Sequence, residues 1–174
     1  MKDSPEPIDA IADRHISMSV KLFDRGKIKK AITCFEKAVA LDPQNIDTHY
    51  HMGMALSRLA KSQKAVASFR RSLEINPNFF QGWFQLGVLL SKTDSMDHAI
   101  TCLLTAVEIC PDDAVAYFRL GNALARQNYI DLAIACYRRA AVGLLRAGSG
   151  RYVAIFALPD ESKSAGRYSD FDNI

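Results

Sequence analysis

Long apolar runs are missing from this sequence of 174 residues. A membrane-spanning helix needs roughly 18 to 20 consecutive apolar residues, and the longest candidate, Tyr152 to Leu158, falls far short, so no membrane partner is expected. The N-terminus, Met1-Lys2-Asp3-Ser4-Pro5-Glu6-Pro7, carries acids and prolines where a secretory signal would carry an apolar stretch. Cysteine is sparse: four residues, none in a CxxC pair, which speaks against both a disulfide-stapled secreted domain and a zinc site. Excess charge is missing too. A formal net charge of +3 supplies little pull towards nucleic acid. A reducing cytoplasmic setting and a soluble chain are the expectation.

Catalytic signals are equally scarce. There is no glycine-rich phosphate loop, no serine or cysteine nucleophile with a matched base, and no obvious pair of carboxylates. His49 and His51 lie two apart, so on a helix they point in different directions, while His15 and His98 are far apart in the chain. No enzyme activity, no cofactor and no metal are expected. What is present in quantity is apolar surface: 49% of residues are hydrophobic and 24% charged, enough to bury a continuous core.

That apolar content is periodic. Pro43, Pro77 and Pro111 are 34 residues apart, and Ala31, Ala65, Ala99 and Ala133 keep the same step. So do Phe35, Phe69, Leu103 and Tyr137, and then Ala38, Ser72, Ala106 and Ala140. Earlier in each unit His15, His49, Trp83 and Tyr117 align. They are followed by Met18, Met52, Leu86 and Leu120, by Ser19, Gly53, Gly87 and Gly121, and by Leu22, Leu56, Leu90 and Leu124. Within one unit the earlier group falls at positions 4, 7, 8 and 11, and the later group at 20, 24 and 27. Both spacings line one face of a helix, so each unit reads as a first and a second helix, here called A and B.

Glycine inside a helix costs roughly 1 kcal/mol against alanine, so its return at 53, 87 and 121 predicts a close helix crossing there. Proline ends each B helix, Asn45, Asn78 and Asp112 or Asp113 are expected to cap the next A helix, and Gly26, Asp94-Ser95 and Asn128 suit the turn within a unit. Cys34, Cys102 and Cys136 share position 23 with Ser68, which reads as a requirement for a small residue. A single hairpin cannot bury both stripes, so neighbours must stack.

The pattern resembles the tetratricopeptide repeat, in which an aromatic is followed by Leu-Gly and later by Ala, Phe and Pro; Trp83-x-x-Leu86-Gly87 with Ala99 and Pro111 matches it best. The resemblance covers four units, 12–45, 46–79, 80–113 and 114–147, after a lead-in of 1–11 and before a non-repeat tail of 148–174. It departs from the family pattern at His15 and His49, at Ser19, at Leu22, Leu56, Leu90 and Leu124 where the family has a tyrosine, and at Leu145 in place of a fourth proline. It implies an all-α, right-handed superhelical solenoid of four helix-turn-helix repeats. It also implies a non-catalytic scaffold or adaptor that binds an extended peptide or amphipathic helix of another protein in a concave groove lined by A helices.

Helix A positions outside the packing stripe are the ones left to meet such a partner. Position 5 reads Ile16, Tyr50, Phe84 and Phe118, a row of aromatic anchors, with packing between A helices as the competing use of the same rings. Position 6 reads Ser17, His51, Gln85 and Arg119, and position 9 reads Val20, Met54, Val88 and Asn122. Position 13 reads Asp24, Arg58, Lys92 and Arg126, for which the plainer reading is a solvated rim. With Asp13 and Asp47 near the start, the groove would run from acidic to basic and prefer a segment with apolar and acidic residues. The charges that would grip a chaperone's C-terminal carboxylate in some relatives are missing at Ile16, Val20, Gln81 and Gln85.

Past Ala147 the period fades. Gly148-Ser149-Gly150 and Pro159 interrupt it, although Ala165-Gly166-Arg167-Tyr168 is similar to a turn within a repeat. Three readings stay open: a tail folded over the last unit, an end-to-end homodimer, or a decayed or truncated fifth repeat. The alternative function is a regulatory or substrate-recruiting module of a larger enzyme such as a glycosyltransferase or methyltransferase.

Overall fold

The computed structural model describes residues 8–93 and 95–146. The lead-in 1–7, Asp94 and everything from Ala147 onward, including Tyr152 to Leu158 and Ala165 to Tyr168, lie outside the described residues. Among those described there are eight helices and no strand: α1 Ile8–Asp24, α2 Ile28–Leu41, α3 Ile46–Arg58, α4 Ser62–Ile75, α5 Phe80–Leu90, α6 Met96–Ile109, α7 Ala114–Arg126 and α8 Ile130–Arg146. Helices α3, α5 and α7 start at residues 46, 80 and 114, reproducing the 34-residue step.

Each helix packs most extensively against its hairpin partner, and each B helix packs next against the A helix that follows it, so the chain forms an all-helical superhelical solenoid. Odd-numbered helices also approach one another, α1 with α3 and α3 with α5; among the described residues no two even-numbered helices do so to the same degree. In a curved stack the layer whose members come closest lies on the inside, which for α1, α3 and α5 is the A-helix layer.

Local chemistry explains the boundaries. The residues before the three prolines, Asp42, Asn76 and Cys110, have φ near −130° and ψ of 91°, 99° and 81°, the extended geometry that a following proline imposes. Asn45 caps α3 by accepting from the Thr48 amide, and Asp113 caps α7 by accepting from Ala116. Asn78 does not cap α5. The register puts Phe79 at that position with no side-chain cap, and the Asn78 amide instead donates to Asn76 Oδ1. The turns place Gly26, Ala60 and Asn128 at φ of 72°, 56° and 64°. Sequence reasoning picks out Gly26 and Asn128 but passes over Ala60, whose side chain carries no turn signal.

The glycines do what their recurrence predicts. A Cβ on Gly53 would stand 2.7 Å from the Phe69 ring, one on Gly87 would stand 2.7 Å from Leu103 Cγ, and one on Gly121 would stand 2.7 Å from the Tyr137 ring. The large residue at position 24 of helix B thus enters the gap left at position 8 of helix A. Phe35, Phe69 and Leu103 are buried to 1% exposure or less. Met18 departs from the expected stripe: it is 53% exposed, and among the described residues no B helix precedes the first A helix.

Candidate functional site

The A helices carry the predicted groove residues as two linked groups. Tyr50 on α3 is half-buried. Its ring meets Phe79 edge-on with centroids 5.3 Å apart, lies 6.1 Å from Phe69, and contacts His51 at 5.1 Å. Burial pushes its phenol upward in pKa, and a hydrogen bond with Gln85 on α5 acts against that. His51 stacks parallel on Phe35 at 6.3 Å. Burial holds its imidazole below the usual value, while the carboxylates of Asp47 and Asp24 pull the other way. Met54 packs at the edge of the same core.

The second group lies on α5 and α7. Phe84 stacks on Phe80 at 5.8 Å with the rings 18° apart, and Phe118 leans against Tyr137 at 5.8 Å. Asn122 accepts a hydrogen bond from the Tyr137 hydroxyl at 2.8 Å through Oδ1, so its amide nitrogen is the donor it retains for a ligand. Arg119 is exposed beside them. All three rings of the row are thus supported from behind by aromatics, Phe69 and Phe79, Phe80, and Tyr137, and each remains half-exposed. The rings are used in packing, and part of each stays exposed.

Two of the four residues at position 13, all of them exposed, make contacts beyond those the sequence suggests. The Arg58 guanidinium lies 3.9 Å from the centre of the Phe23 ring, a cation–π contact to the preceding unit. Arg126 donates from its guanidinium to the Ser91 carbonyl at the end of α5, where unpaired carbonyls and the negative end of the helix dipole favour a cation. These two arginines reach back and hold the unit before them, and Gln127 adds a bond to Asp97 at 2.7 Å. Lys92 is exposed. The charge gradient still runs from Asp13, Asp24 and Asp47, all exposed, towards Lys92, Arg119 and Arg126.

Cys102 and Cys136 are buried, and desolvation raises both thiols to a pKa of about 11. That keeps them unreactive and accords with a small-residue slot. Two features escaped sequence reasoning. Phe79 braces Tyr50, yet it sits before α5 starts, where no helical period reaches it. On the outer edge a cavity of about 340 Å³ opens between Pro111, Tyr117, Arg139 and Val142, because Gly143 stands where the preceding units have Ile75 and Ile109. No group of histidine, cysteine and acidic residues able to hold a metal is found among the described residues. No helix among them is long and apolar enough to cross a membrane.

Comparison with known proteins agrees with this architecture. A family model described as TPR repeat matches residues 21–59 and 95–128, and one described as tetratricopeptide repeat matches 46–79. No curated protein matches the sequence. Among solved structures, one of MamA is similar with a TM-score of 0.77 at 21% identity, over 79% of this chain and 81% of that one. YrrB, described as a TPR protein with an unusual peptide-binding site, is similar with a TM-score of 0.68 at 20% identity, over 88% of this chain and 87% of that one. The first TPR of Spaghetti (RPAP3), solved bound to the HSP90 peptide SRMEEVD, has a TM-score of 0.66 at 20% identity, over 67% of this chain and 93% of that one. At such identities the likeness concerns the fold.

Proposed function

Because the chain belongs to the tetratricopeptide-repeat family, we propose that it is a non-catalytic adaptor that holds a segment of another protein against its concave face. The observation that carries this reading is the row of half-exposed rings Tyr50, Phe84 and Phe118, each braced from behind by further aromatics. A rigid, preorganised ring loses little entropy on binding, and such anchors dominate interface energetics. Beside the row, Gln85, His51 and Asn122 offer polar groups to a main chain, and Arg119 offers a cation. With Lys92 on the same side, these favour a peptide or helix whose acidic residues lie opposite units two to four. Two similar folds that bind peptides, YrrB and the RPAP3 domain, support a protein partner in general. Arg58 and Arg126 serve the scaffold first and the partner second. We place the activity in the cytoplasm.

The test is affinity capture from cell lysate with mass spectrometry, comparing the native chain with a Tyr50→Ala, Phe84→Ala, Phe118→Ala, Arg119→Ala variant of checked helicity. The expected result is loss of one dominant partner. A variant that keeps every partner would exclude the groove.

A further inference from the structure

Unit four carries an arginine without the acid that faces its counterpart in unit two. There Arg71 at position 26 pairs with Glu74 at position 29, nitrogen to oxygen 2.9 Å. On α8 the same two positions read Arg139 and Val142, so an apolar side chain stands where the carboxylate would be. The next residue changes as well: Gly143 replaces the Leu41, Ile75 and Ile109 of units one to three. Only the last unit combines a cation at position 26, no acid at position 29 and no side chain at position 30.

The cavity of about 340 Å³ opens at this spot, with Pro111, Tyr117, Val142 and Gly143 as its apolar walls. Val142 is 47% exposed. The Arg139 guanidinium lies 5.5 Å from the centre of the Tyr117 ring. A cation–π contact uses no hydrogen-bond acceptor, so the N–H donors of the guanidinium are left to be matched elsewhere. Tyr117 also differs from the other rings of its row. His49 and Trp83 each turn a ring nitrogen to a proline carbonyl, at 3.0 and 2.7 Å, whereas a phenol has no ring nitrogen and ends in a hydroxyl that donates or accepts.

Arg138 and Asp112 complete the rim, each with an interaction of its own. Two guanidiniums against one carboxylate leave a single positive charge in excess, which suits a monoanion better than a dianion such as phosphate. Small-ligand sites of roughly 300–1,000 Å³ combine apolar walls with a few placed polar groups. This cavity has that make-up at the small end of the range.

We propose that this pocket binds a small carboxylate with an apolar body. The carboxylate takes beside Arg139 the place that Glu74 takes beside Arg71, and the apolar part fills the space that Ile75 and Ile109 fill in the units before. Such a group comes from either of two sources, a free organic acid or the C-terminal residue of a polypeptide. Tyr50, Phe84 and Phe118 are not among the residues that line the pocket, so the site stands apart from the groove and does not rest on the adaptor reading.

Titration of the full chain with sodium benzoate at constant ionic strength, followed by proton–nitrogen correlation NMR, tests this. The expected result is a set of amide shifts at Asp112, Val142 and Gly143 that saturates with a Kd of about 1 mM, the scale a ligand of this size allows. Benzamide, which has the shape without the charge, is expected to bind at least about tenfold more weakly. N-acetylphenylalanine separates the sources: binding tighter than benzoate assigns the pocket to a polypeptide C-terminus, weaker binding assigns it to a free acid, and both support it. Val142→Glu supplies the acid from the chain itself and Arg139→Gln removes the cation. Both positions are exposed, and each variant is expected to keep its helicity and to weaken benzoate at least about tenfold. Benzamide binding as tightly as benzoate, undiminished binding to either variant, or shifts scattered outside the pocket overturns the proposal.

Discussion

The His49 ring and the Trp83 ring, one repeat apart and chemically unalike, make the same contact. Nε2 of His49 lies 3.0 Å from the Pro43 carbonyl oxygen, and Nε1–H of Trp83 donates to the Pro77 carbonyl at 2.7 Å. Each ties the fourth residue of an A helix to the proline that ended the preceding B helix. In these two units the position holds a flat ring with a nitrogen at its far side. For His49 that means the tautomer with its proton on Nε2.

Trp83→Phe keeps the ring and removes the donor, so it is expected to cost about 1–2 kcal/mol through the lost hydrogen bond and part of the buried area. Trp83→His is expected to cost less than Trp83→Phe. Urea unfolding followed by circular dichroism distinguishes the two; equal losses would show that the nitrogen contributes nothing.

Gly87→Ala raises helix propensity by about 1 kcal/mol, yet its Cβ would meet Leu103 Cγ at 2.7 Å and the Ala99 carbonyl at 3.2 Å. Overpacking of this kind costs about 1–3 kcal/mol, so the net result is a lower melting temperature. A rise would mean that α5 and α6 can separate without penalty.

Ala60→Gly acts in the opposite direction. Ala60 holds φ at 56°, where a Cβ is strained and glycine is not. After allowance for the greater freedom of glycine in the unfolded chain, a gain of about 0.5–1 kcal/mol is expected in thermal unfolding. Gly26→Ala is expected to lose a similar amount.

Arg119 and Arg126 lie on the same helix, α7, but are expected to act differently. Arg126→Ala removes the bond to the Ser91 carbonyl and is expected to lower stability by about 0.5–1 kcal/mol. Arg119→Ala is expected to change stability by less than about 0.5 kcal/mol and to weaken capture of the groove partner. Thermal unfolding and capture on the same two variants check this; the reverse pattern would move the binding cation to position 13.

The buried thiols yield a pH dependence. Cys102 and Cys136 titrate at about 11 in the fold against 9.0 for an ordinary thiol, so above about pH 9 the unfolded chain loses protons that the folded chain keeps. Their contribution is fully present below pH 9 and is lost as the pH rises towards 11. Replacing both with serine is expected to flatten stability between pH 9 and 11. At pH 8, a thiol reagent is expected to label Cys102 and Cys136 only after urea is added.

The fold was legible because each of its causes is local and recurs. Gly53, Gly87 and Gly121 announce the crossings, Pro43, Pro77 and Pro111 announce the ends, and four alanines at a 34-residue step announce the packing. The one misplaced cap, Asn78, lies one residue before the true N-cap at Phe79, because capping propensity pointed to a polar residue where the register required an aromatic. The groove was legible as a set of positions, not as a set of roles. Tyr50, Phe84 and Phe118 stand on the A-helix layer, but nothing in a helical period says that Phe79, Phe80 and Tyr137 would brace them.

By itself, then, the sequence determined the repeat, its helices and the faces they pack, since spacing along a helix settles which side chains share a face. Only the tertiary structure decided that Arg58 and Arg126 reach back to the preceding unit and that Ala60 bears a left-handed turn. Those outcomes depend on the distance and angle between neighbouring units, which packing of the whole stack sets and no single repeat contains.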